Sequence, residues 1–298
     1  MFGLLSKSRR LNLPVDIQLQ LFDILVTPIL LYGSEIWSYE NCEILEKLHL
    51  RYCKYLLGVN ISTYKNMVYG ELGRYPLSVT MKLRTAVFWR RLITGDQSKL
   101  SAKMYRLLFK LDAVGIYSSP WITNVRDILN DSGFSYMWLY QTSTTTNDSF
   151  RAQLKVRLQD QFQQTWSSEV FNSSKCINYR MFKSKLQFEE YLLKLPRSLC
   201  RSFTRFRCRN HKLPIELGAH LNIVRDMRVC SKCNSNAIGD EFHYVFNCTN
   251  LATYRKKLLP KFCQENPSSL KFQSIMNTQE IVCLTKLVKF INIIMSAA

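Results

Sequence analysis

Glycine and proline are scarce, at 10 and 8 of 298 residues, which excludes collagen-like and low-complexity chains. Gly70 and Gly73 are the only two glycines within ten residues of each other, so neither G-x-x-x-x-G-K-[ST] nor G-x-G-x-x-G can occur. Long apolar runs are missing too. The best candidate, residues 21–33, carries Asp23 and Pro28 and is well short of the ~20 apolar residues a membrane span needs. The apolar start of the chain is cut short by Lys7, Arg9 and Arg10, too early for a secretory signal. A non-secreted, intracellular protein of the nucleus or cytoplasm is expected, with no membrane partner. Its ten cysteines would then be thiols or metal ligands.

Acidic residues are also few: 22 against 41 Lys and Arg, a formal charge of +19. Two-metal polymerases and nucleases need clustered carboxylates, yet no two aspartates adjoin and no Asp follows Asp240. The pair Glu189-Glu190 falls in a helical stretch and reads as solvated. His49 reads as a packing or surface residue of its helix. No Ser-His-Asp or Cys-His signature is present, so no catalytic residue is assigned. A cationic surplus of this size instead points to a polyanion, RNA or DNA, as partner.

Helical periodicity dominates what is there, and the expected fold is mostly α. Helices are expected over residues 14–32, kinked or broken at Pro28, and over 41–57, capped by Asn41 and stopped at Gly58. Others are expected over 76–94, 100–111, 121–130 and 150–166. At residues 280–295, Ile281, Leu284, Val288, Ile291 and Met295 form an apolar stripe suited to packing, with a membrane-surface helix as the lesser alternative. The polar stretch 141–149 reads as a linker. It divides an N-terminal helical domain (1–140) from a basic helical domain (150–298) that holds a zinc-binding segment at about 207–260.

Cys230, Cys233, His243 and Cys248 follow C-x2-C-x9-H-x4-C. The two-residue gap lets both thiolates reach one ion, and the turn at 234–239 returns the chain to a short helix bearing His243. The spacing predicts a CCHC zinc knuckle holding one structural Zn2+, with no open position for activated water; the alternative is a set of buried cysteines with a surface histidine. Cys208 and His211 are the reserve ligands. Upstream, residues 194–212 hold seven basic side chains and no acid. Arg197, Arg201, Arg205 and Arg209 recur every four residues, one face of a helix. With Arg207, Lys212, Arg228 and Lys232 they form the candidate phosphate-contacting set, while Phe203 and Phe206 read as core anchors.

Three stretches, Leu13-Pro14-Val15-Asp16-Ile17-Gln18, Pro28-Ile29-Leu30-Leu31-Tyr32-Gly33-Ser34-Glu35-Ile36-Trp37 and Tyr69-Gly70-Glu71-Leu72-Gly73-Arg74-Tyr75-Pro76, resemble the region after the polymerase thumb in non-LTR (LINE-type) retrotransposon reverse transcriptases. Asn210-His211-Lys212-Leu213-Pro214-Ile215-Glu216 and the cysteine–histidine pattern with Gly239-Asp240-Glu241-Phe242-His243 resemble the zinc-binding segment near their C-terminus. The resemblance implies Cys230, Cys233, His243 and Cys248 as metal ligands, and element RNA or target DNA as partner during target-primed reverse transcription. The aspartate-rich polymerase motif and the endonuclease domain have no counterpart. Membership without polymerase activity is therefore the expectation. Two alternatives stay open: a protein-interaction module docking on the polymerase portion of the same element, or a decayed fragment.

Overall fold

In the computed structural model the described residues are 3, 11, 13–40, 42–142 and 145–296. They are mostly α-helical with no strand, apart from one isolated antiparallel bridge, Val229–Ile238. No helix among them is long and apolar enough to cross a membrane.

Helix ends follow local chemistry. Pro76 (φ −65°) precedes the helix Leu77–Thr94, and Gly95 ends it. The helix Glu43–Leu57 stops at Gly58, whose φ of +68° is cheap only without a Cβ. A Cβ there would also run into the Arg201 side chain. The expected cap, Asn41, lies outside the described residues. Pro28 does not break its helix. Val15–Leu21 passes into a π-turn, Phe22–Val26, and then into Thr27–Leu30. The widened turn upstream of the proline relieves the clash its ring would make with the carbonyl four residues back.

The chain forms two compact units, and they interleave in sequence. The first comprises residues 1–20, 50–74 and 166–298; the second comprises 21–49 and 75–165. This differs from the linear division at 141–149. Of that segment, residues 143 and 144 are outside the described set. The rest belongs to the second unit: Gln141 accepts from Tyr105 Oη at 2.5 Å, Asn147 Oδ1 accepts from Arg90 Nε at 2.7 Å, and the Thr145 carbonyl accepts from Arg90 Nη2. Asn147 then opens a 26-residue helix, Asn147–Asn172.

The second unit is built around Trp89, Ile122, Val125, Leu129, Phe134, Trp138, Phe150 and Leu154. Trp89 Nε1 donates to Tyr105 Oη at 2.8 Å, so the buried indole leaves no donor unmet. Arg90 is 1% exposed and lies over the Phe150 ring. His49 is fully buried, stacked on Phe22, with Nδ1 3.1 Å from Glu46 Oε1; it is a packing residue.

In the first unit the helix Ile281–Ser296 buries Leu284, Leu287, Val288, Phe290, Ile291 and Ile294. It packs on Arg197–Arg207 and Ala252–Leu258. It is thus a packing helix, with a wider apolar face than the expected stripe and Ile281 half exposed. Trp166 Nε1 donates to the Asn66 carbonyl at 2.8 Å, and Tyr191 Oη to Glu71 Oε2 at 2.6 Å.

Candidate metal centre and basic surface

The metal cluster is assembled by a short hairpin and a π-turn. Cys230 N donates to the Ala237 carbonyl and Gly239 N to the Arg228 carbonyl, both at 2.8 Å. These bonds close the loop that carries Cys230 and Cys233. Asn236 (φ +51°) takes the left-handed turn that asparagine tolerates. Asp240 Oδ1 then accepts from His243 N at 2.9 Å, opening the turn His243–Asn247, and Cys248 sits at its end. Arg255, buried, donates to the carbonyls of Val245 (2.7 Å) and Cys248 (2.9 Å). Asn250 Nδ2 donates to the Lys232 carbonyl. The sequence reading missed both clamps, since neither residue type marks a metal site.

The four donor atoms lie within 4.8 Å of one another. Cys230 Sγ and Cys248 Sγ are 4.0 Å apart, and Cys233 Sγ is 3.4 Å from His243 Nε2. A tetrahedral ion with Zn-like bond lengths sets S···S at about 3.8 Å and S···N at about 3.5 Å, so the residues fit a bound metal. Cys230, His243 and Cys248 are buried while Cys233 is partly exposed. The Ser235 hydroxyl, 3.1 Å from Cys233 Sγ, is the chief cause holding that thiol down at about 6. Burial pushes the Cys248 thiol up to about 11. A metal bound here must therefore displace a proton from Cys248 as it binds.

The reserve ligands are excluded. His211 Nε2 is committed to Glu241 Oε1 at 2.8 Å, and Cys208 is buried with its thiol pushed well up by desolvation. Burial opposes ionisation of Glu241. The hydrogen bond and charge of His211, with the Arg209 charge, outweigh it and hold that carboxyl down at about 2.

The basic stretch is only partly available for phosphate. Arg197, Arg201 and Arg205 keep to the outer side of the helix Arg197–Arg207, and Lys212 is exposed. Lys232 is partly exposed in the metal loop. Arg207 is a correction: its side chain is 0% exposed and paired with Glu71 (2.9 Å) and Glu189 (3.1 Å). It also donates to the Met276 carbonyl and lies over the Phe182 ring. Glu189, expected to be solvated, is the buried partner of Arg207 and Lys183; Glu190 is exposed. Arg209 is a second correction. The helix ends at Arg207, Arg209 turns left-handed (φ +54°), and its guanidinium meets Glu216 at 3.3 Å and Glu241 at 3.6 Å. Arg228 is partly exposed and donates from Nε and Nη1 to the Ile223 and Ile215 carbonyls, which leaves its Nη2 outside those bonds. Phe203 and Phe206 are buried anchors, as expected.

Charge is divided unevenly between the units. The first holds 28 Lys and Arg against 11 Asp and Glu, the second 13 against 11. Five acids of the first unit, Glu71, Glu189, Glu216, Asp240 and Glu241, are turned onto cations within it. No family model, curated protein or solved structure matches this chain.

Proposed function

We propose that the chain is a non-catalytic nucleic-acid-binding segment held together by one structural Zn2+, corresponding to the C-terminal region of a non-LTR retrotransposon reverse transcriptase. The observation that carries the reading is the placement of the metal-ligand set in the unit that holds nearly all of the cationic surplus. Three sulfurs and one imidazole favour zinc over magnesium or calcium, which prefer oxygen. With four protein ligands the ion has a structural role, and no step of chemistry is assigned to it. The nucleus or cytoplasm, where element RNA and target DNA occur, is the proposed place of action, and the polymerase portion of the element a proposed second partner.

Arg197, Arg201, Arg205 and Lys212 are the proposed backbone contacts. Four such contacts give a log–log salt slope of roughly −3 for single strands and −3.5 for duplex. Anisotropy titrations with RNA and DNA oligonucleotides over a salt series test this. Affinity unchanged by salt, or a purified chain with no zinc by elemental analysis, would overturn the reading.

A further inference from the structure

A groove of 430 Å³ opens in the first unit, on residues that the sequence keeps far apart. It is lined by the loop after Gly58, with Asn60, Thr63 and Tyr64, and by Lys175, Arg205 and Lys212. The two segments are tied by Asn60 N, which donates to Asn210 Oδ1 at 3.0 Å, and by Arg205 Nε, which donates to the Gly58 carbonyl at 2.8 Å.

The cations of this groove are not neutralised evenly. Arg209, also in its wall, is consumed by Glu216 and Glu241. Among the described residues no carboxylate meets Lys175, Arg205 or Lys212. Glu216, the one acid lining the groove, is the partner of Arg209. Burial and the neighbouring Arg201 charge both push the Arg205 pKa down, which marks positive charge crowded without a counterion. Thr63 Oγ1 is buried with no hydrogen-bond partner. A concave site with three uncompensated cations, amide side chains and an aromatic ring is the chemistry that tracks a single-stranded phosphodiester backbone. The volume suits about one or two nucleotide units.

We propose that this groove is the seat of single-stranded nucleic acid, with a phosphate held by Lys175, Arg205 and Lys212 and Tyr64 offering a ring to the adjoining nucleotide. This deepens the proposed function and rests on it. It also adds Lys175 and Tyr64, which lie outside the basic stretch read from the sequence.

The test uses the full chain with its metal and fluorescent ten-nucleotide single-stranded RNA, single-stranded DNA and a DNA duplex as probes. The variant Lys175→Ala/Lys212→Ala is compared with Lys256→Ala/Lys257→Ala, exposed lysines of the same unit outside the groove. The groove variant is expected to bind the single strands at least tenfold more weakly at about 0.1 M salt, with a slope shallower by about 1.4. The control is expected to change affinity less than threefold. Equal losses in both variants, or tighter binding of the duplex than of either single strand, would overturn the groove and leave the proposed function standing. No binding of any probe by the wild-type chain would overturn both.

Discussion

Arg207 sets the sharpest test, because sequence pattern and structure assign it opposite roles. Its guanidinium donates to both Glu71 oxygens, at 2.9 and 3.1 Å, and lies 3.1 Å from Glu189. Replacing it by methionine keeps much of the packing volume but strips Glu71 of its counterion. Glu189 retains Lys183, whereas Glu71, fully buried, keeps the Tyr191 hydroxyl as its hydrogen-bond partner and only the charge of the more distant Lys183. Leaving one buried charge unpaired costs about 3–5 kcal/mol, a large part of the ~5–15 kcal/mol by which domains are stable. Arg205→Met, which loses an exposed side chain and one hydrogen bond to the Gly58 carbonyl, should cost about 1 kcal/mol or less. Urea unfolding followed by circular dichroism measures the difference, and hydrogen exchange over residues 65–72 and 197–207 localises it. Adding Glu71→Gln to Arg207→Met should recover part of the loss, since a neutral amide no longer needs the cation. Equal stability of Arg205→Met and Arg207→Met, or weakened nucleic-acid binding by Arg207→Met without destabilisation, would refute the assignment.

Cys233→Ser should lower bound zinc from about one per chain to none and expose residues 225–250 to protease, while the second unit keeps its protection; mass mapping of the cleavage sites reads this out. In the metal-free chain Cys233 should alkylate with a pH midpoint of about 6, because its thiol is held down, and Cys248 should stay unreactive at neutral pH because burial raises it to about 11. A Cys233 midpoint near 9 would contradict the role given to Ser235. Glu241, held at about 2 against an ordinary 4.5, contributes on the order of 3 kcal/mol that is fully present above pH 4.5 and lost as pH falls through 2. Acid titration of wild type against Glu241→Gln should show that portion of the pH dependence vanish in the variant.

The helices were legible wherever the chain punctuates itself. Pro76 and Gly95 bracket one helix and Gly58 ends another, because these residues act through their own backbones and need no partner. The clustering of Cys230, Cys233, His243 and Cys248 was legible for a similar reason: all four fall within nineteen consecutive residues, so spacing alone constrains them. Arg207 was not legible. It stands outside the four-residue rhythm of Arg197, Arg201, Arg205 and Arg209 and joined the candidate set only through its place in a basic stretch, while its partner Glu71 lies 136 residues away. Arg209 misled through the rhythm itself, since the helix stops before it and the periodicity no longer applies. The units escaped notice because apolar stripes report that a helix packs, not against which other helix. The polar run 141–149 resembled a linker through its composition, while Arg90 and Tyr105, more than thirty residues earlier, tie Thr145 and Gln141 to the second unit.

The interleaving of the units constrains the order in which they can form during synthesis. The second is complete once residue 165 has left the ribosome, so its aromatic core can close early. The first cannot: residues 50–74, with Glu71 among them, must wait for a stretch that begins at residue 166 and supplies Arg207. Until then an apolar segment and a carboxylate destined for the interior stand without their counterparts, a state prone to association with other chains. The four candidate metal ligands arrive later still, at 230–248, so an ion held by them could lock the first unit only after residue 248 has emerged.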